Sequence, residues 1–142
     1  AIADFDKAIQ LKSDFTKAYL NRGTARFLLA DYANAIPDLE KSKSSEGDNA
    51  ELSRMLGISN YLTGKKDAAL PLLESALNGG VKDSKVHLYA GLISFDKKDF
   101  KNAATRLGSA ELGGEKSAEV YLKRGKSFFQ LKQYTEAVAD LE

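Results

Sequence analysis

Apolar residues along this chain follow a helical period, and short polar turns interrupt them at regular intervals. Ala1, Phe5, Ala8 and Ile9 stand at i, i+4, i+7 and i+8, one face of a helix predicted from Ala1 to about Leu11. Ser13, Asp14, Phe15 and Thr16 make the first turn. A second helix is predicted from about Lys17 to Leu29, and Asp31 is placed to cap a third from about Tyr32, as Asp99 is later in the chain. Helix pairs follow over Ala50 to Asn78, broken near Thr63 and Gly64, and over Ser84 to about Leu112, broken near Lys97 and Lys98. A last pair begins near Ser117 and breaks near Lys132 and Gln133. Each break is one short turn, as an antiparallel helical hairpin requires, so nine helices and no strand are predicted.

The pattern repeats at a fixed interval of 34 residues. Gly23, Gly57, Gly91 and Gly125 form one column, and Ala1, Ala35, Ala69, Ala103 and Ala137 another. Phe5, Leu39, Leu73, Leu107 and Leu141 form a third, and Phe27, Tyr61, Phe95 and Phe129 a fourth. Glycine inside a helix costs about 1 kcal/mol relative to alanine, roughly 4 kcal/mol for four of them. Close approach of two helix backbones, which a side chain would block, is the expected offset.

With Tyr19, Gly23, Tyr32, Ala35 and Leu39 in the first full unit, the chain resembles the tetratricopeptide repeat over its whole length. The second unit carries Leu56, Gly57, Gly64, Ala69, Leu73 and Ala76, and the third Ala90, Gly91, Phe100, Ala103, Leu107 and Ala110. The fourth carries Tyr121, Gly125, Tyr134, Ala137 and Leu141. The resemblance implies an all-α fold, an alpha-alpha superhelix or solenoid of helix-turn-helix units, right-handed, in which each unit is stabilised by its neighbours. Unit boundaries are expected at 1–15 for a half repeat, 16–49, 50–83 and 84–117 for full ones, and 118–142 for a truncated one, so that the chain reads as a piece of a longer array. The family's usual proline after the second helix is replaced by Ser13, Gly47, Val81 and Glu115, with Gly79-Gly80 and Gly113-Gly114 expected to stop their helices instead. Pro37 and Pro71 sit at one register inside second helices, where a local bend is expected. Glu40 to Asn49 is the most polar run; its helix end is expected to fray, with Ser42 bonding back to the preceding turn.

Charge and chemistry narrow the function. Twenty-one Lys and Arg against 20 Asp and Glu leave a net charge of +1, which gives no electrostatic case for nucleic acid or an anionic membrane. No apolar run approaches the roughly 18 residues of a membrane-spanning helix, and the absence of cysteine leaves cytoplasm and periplasm both open. His87, the single histidine, stands in the register of Tyr19 and Tyr121, so a half-buried packing role is expected rather than a catalytic one. Carboxylates are not paired on one helical face, and neither a phosphate loop nor metal-ligand spacing is present. No enzyme, metal or cofactor is expected.

Binding of a protein or peptide segment is the better expectation. The face of each first helix opposite its partner helix carries Leu20, Asn21 and Thr24; Arg54, Met55 and Ile58; Leu88, Tyr89 and Leu92; and Leu122, Lys123 and Lys126. The family resemblance implies that this face lines a concave peptide-binding groove. The groove would be apolar in the middle, at Met55, Ile58, Leu88, Tyr89 and Leu92, and polar or basic towards Asn21, Lys123 and Lys126, so the expected ligand is apolar with acidic residues towards the lysines. Leu88 and Leu122 are the members expected to pack between neighbouring first helices. The clamp with which some family members grip a C-terminal carboxylate is not built, since only Lys85, or Arg54 and Lys123, meet its needs. Two functions remain: an adaptor module, within a bacterial protein of many such repeats, or a structural spacer that self-associates through its apolar ends.

Overall fold

The computed structural model describes residues 1–142 and is helical throughout. Nine helices form: α1 (Ile2–Leu11), α2 (Thr16–Leu28), α3 (Tyr32–Glu46), α4 (Ala50–Leu62), α5 (Lys66–Asn78), α6 (Ser84–Asp96), α7 (Phe100–Leu112), α8 (Ala118–Gln130) and α9 (Tyr134–Leu141). The chain divides into two compact units, Ala1–Val81 with α1 to α5 and Lys82–Glu142 with α6 to α9. Within each, consecutive helices pack on one another, and first helices touch directly, α2 on α4 and α6 on α8.

The glycine column does what its cost requires. A Cβ built on Gly23, Gly57, Gly91 or Gly125 would meet a carbon of Leu39, Leu73, Leu107 or Leu141 at 2.9, 2.8, 2.9 and 2.7 Å, well inside van der Waals contact. The column therefore sets how closely the two helices of each hairpin approach. The Gly-Gly pairs divide two tasks. A Cβ on Gly79 would collide with that of Ala50, and one on Gly113 would lie 2.6 Å from that of Ser84, so the first glycine lets the end of the second helix touch the start of the first. The second glycine, at φ 89° in Gly80 and 104° in Gly114, takes the left-handed conformation that stops the helix.

Several local expectations are corrected. Asp31 occupies the N-cap of α3, but its carboxylate accepts from the Asn34 side chain at 3.0 Å instead of from a backbone amide. Asp99 does cap, accepting from the Asn102 amide at 3.3 Å. The polar run stays helical to Glu46, which makes α3 15 residues long, and Ser42 is buried with its hydroxyl unpartnered instead of bonded back. The α3–α4 loop is pinned by Asp48, which accepts from the Ser53 hydroxyl at 2.6 Å and the Ser75 hydroxyl at 3.3 Å.

Ion pairs replace apolar contacts at one pair of registers. Arg22 on α2 donates from Nε and Nη2 to the buried Asp38 of α3 at 2.8 and 2.6 Å, and from Nη1 to Asp6 of α1 at 2.6 Å. Arg124 on α8 donates to Asp140 of α9 at 2.7 and 2.6 Å. Where these units have Arg and Asp, the second has Leu56 and Leu72, and Leu72 packs against the cluster that contains Leu56. Removing one member of a buried pair typically costs about 3–5 kcal/mol, whereas replacing both by hydrophobic residues is often neutral or stabilising. Asp38→Leu alone should therefore destabilise the chain by about 3 kcal/mol, and Arg22→Leu with Asp38→Leu should recover most of that loss in urea unfolding.

Candidate functional site

In the Ala1–Val81 unit, four of the predicted groove residues come together. Leu20, Asn21 and Thr24 from α2 and Met55 from α4 line a cleft of about 250 Å³, with Asn49, Glu51 and Leu52 completing it. The start of α4 is positioned by its cap: Asn49 Oδ1 accepts from the Leu52 amide at 2.8 Å. Glu51 is held against Arg54 by two hydrogen bonds of 2.9 and 2.6 Å, and the Arg54 guanidinium lies 5.3 Å from the Phe27 ring centre. Leu52 and Met55 belong to the cluster of Ala35, Ile36, Leu39 and Leu56, and Leu20 packs against it. The cleft thus has an apolar floor and a polar rim.

The expected exposed apolar strip is not present as predicted. Met55, Ile58 and Leu92 are only 4%, 5% and 5% exposed, so they are packing residues and not an open groove surface. Within the Ala1–Val81 unit α2 packs directly on α4, and within the Lys82–Glu142 unit α6 packs directly on α8. Leu88 and Tyr89 are half-buried, while Leu122, expected to pack, is 46% exposed.

The two lysines also differ. Lys123 lies 3.6 Å from Asp96 and 3.5 Å from Glu119, with its ammonium 5.2 Å from the Phe95 ring centre, so it joins α6 to α8. Lys126 is exposed and lines a cleft of about 390 Å³ with Phe95, Phe100, Phe129, Gln130 and Leu141. Lys85 is committed to Glu115 at 2.9 Å, and that hydrogen bond raises its pKa.

Two family profiles, both described as tetratricopeptide repeat, match residues 16–49 and 119–142. The chain belongs to the tetratricopeptide-repeat family. No curated protein matches this tetratricopeptide sequence. Among solved structures it is similar to YrrB, described as a tetratricopeptide protein with an unusual peptide-binding site, at 21% identity and a TM-score of 0.78, covering 99% of this chain and 72% of that one. MamA is similar at 19% identity and a TM-score of 0.77, with coverage of 99% and 77%. A MamA fragment from Desulfovibrio magneticus RS-1 gives 14%, 0.73, and coverage of 99% and 79%. At these identities the likeness shows the fold, the all-α solenoid class of tetratricopeptide repeats. No helix of this tetratricopeptide protein is long and apolar enough to cross a membrane.

His87 is half-buried, and its Nδ1 is shielded without a hydrogen-bond partner. Burial pushes the imidazole below its ordinary value of 6.5, Arg106 adds to that shift, and Asp83 opposes it. The folded state therefore favours the neutral ring. Stability is complete above the unfolded histidine range near pH 6.5 and is lost as pH falls through the lower folded value. Melting temperatures compared at pH 7.5 and 5.5 should show this loss, limited to about 1.4 kcal/mol per pH unit for a single proton, and His87→Tyr should remove it.

Proposed function

We propose that this tetratricopeptide protein is a non-enzymatic protein-interaction scaffold and that the α2–α4 face receives an extended peptide. The cleft lined by Leu20, Asn21, Thr24, Asn49, Glu51, Leu52 and Met55 carries the reading. Its floor suits one apolar side chain. The exposed Asn21 carboxamide offers both a donor and an acceptor, the pair that an extended backbone presents at alternate residues. The peptide-binding site reported for the structurally similar YrrB supports the same use of the fold here.

A displayed library of random 12-residue peptides panned on the whole chain tests this. Recovered peptides should lose at least tenfold in affinity to Asn21→Trp, which obstructs the cleft from an exposed position, with the melting temperature unchanged. Panning that returns no binder, or peptides that bind Asn21→Trp undiminished, would overturn the groove.

The spacer or self-association reading is favoured by a different surface. Phe129, Tyr134, Val138 and Leu141 on α8 and α9 are between 48% and 56% exposed and line one cavity of about 250 Å³ with Ala137. An exposed apolar patch of this kind marks an interaction surface. In sedimentation, a mass that rises with concentration and falls back in Val138→Lys supports association through it; a constant monomer mass rejects it.

A further inference from the structure

One column of the repeat is acidic at every position that carries a side chain: Asp6, Glu40, Glu74 and Glu142. The remaining member is Gly108. In the Ala1–Val81 unit this column has a visible task, because Asp6 Oδ1 accepts from Arg22 Nη1 at 2.6 Å while the other donors of Arg22 hold Asp38. Arg124, three intervals after Arg22, holds Asp140 in the same way. With no side chain at 108, its Nη1 reaches instead to Glu111, one helical turn further along α7, at 2.5 Å.

The missing side chain leaves space. A Cβ on Gly108 would meet nothing closer than Arg124 Nη1 at 3.8 Å. Here a cleft of about 730 Å³ opens between α7 and α8, with Gly108 and Arg124 in its lining, Lys101 also in its wall, and Phe128, Leu131 and Leu112 as its apolar surface. Three of the five guanidinium N–H donors of Arg124 are committed to Asp140 and Glu111, which leaves two. Glu111 accepts from both Arg124 and the Tyr121 hydroxyl, so Arg124 is shared between two carboxylates, and the further positive charge in the lining is that of Lys101.

We propose that this cleft recognises an acidic side chain of a partner peptide, a glutamate next to an apolar residue. The carboxylate enters above Gly108 and meets the two N–H donors of Arg124 that Asp140 and Glu111 leave open. Lys101, exposed in the cleft wall, adds a second cation, and the apolar neighbour lies on Phe128 and Leu131. The site uses none of the residues of the α2–α4 cleft, so either can fail without the other.

The test is a titration of the whole ¹⁵N-labelled chain with acetyl-Leu-Glu-amide and with its uncharged isostere acetyl-Leu-Gln-amide, following the Gly108 amide and the Arg124 Nε–H signals. Saturable shifts are expected with the glutamate peptide, and at least fivefold weaker binding with the glutamine one. Gly108→Glu, which supplies the column's carboxylate from the protein itself, should abolish the shifts and raise the melting temperature. Lys101→Glu, on an exposed position, should weaken binding at least threefold with the fold intact. Shifts that do not saturate, that are equal for the two peptides, or that survive in Gly108→Glu or Lys101→Glu would overturn the site.

Discussion

The contact between a glycine of each first helix and a leucine sixteen residues later on the second is the constraint on which every hairpin depends. Gly23 meets Leu39, Gly57 meets Leu73, Gly91 meets Leu107 and Gly125 meets Leu141, in each case with no room for a methyl group. Leu39, Leu73 and Leu107 are fully buried, so none can turn aside without moving its neighbours. A glycine in mid-helix costs about 1 kcal/mol of helix preference, and burial of a leucine side chain contributes about 1.5–3 kcal/mol. The exchange is favourable only because the leucine sits against the glycine backbone.

Because that contact holds each hairpin together, positions around it are free to diverge. At one pair of registers the chain carries Arg22 with Asp38, Leu56 with Leu72, and Arg124 with Asp140, polar and apolar solutions to the same packing problem. At another it carries four carboxylates and Gly108. Both proposed recognition sites lie where side chains vary, the α2–α4 face and the cleft at Gly108, and neither is lined by a residue of the glycine or leucine column. A rigid repeat with variable surface positions is how a fold of this kind acquires binding specificity without altering its core.

Helices were legible because period and interval agree: predicted and observed bounds differ by a residue or so at nearly every end. Other columns carry the same interval. Asn49, Asp83 and Ser117, 34 apart, each accept from a backbone amide at the start of a first helix, at 2.8, 2.9 and 3.3 Å. Ala30, Gly64, Lys98 and Lys132 are all left-handed in the turn between helices, and only one is the glycine that such a turn advertises. Depth was the harder quantity. Helical geometry gives the side on which Met55, Ile58 and Leu92 stand, but not how deeply each is buried. Pairing was hidden for a similar reason, since Lys123 meets Asp96 only once α6 and α8 are packed.

A double-mutant cycle at Gly91 and Leu107 measures the central contact most directly. A Cβ on Gly91 would lie 2.9 Å from Leu107 Cδ2 and Cγ. Gly91→Ala in the natural chain should destabilise it by about 2 kcal/mol through overpacking, despite alanine's better helix preference. In a Leu107→Ala background the same change should cost nothing or stabilise slightly, a coupling of about 2 kcal/mol. Additive effects, with Gly91→Ala equally costly whether or not Leu107 is present, would contradict the claim that the leucine is what each glycine makes room for.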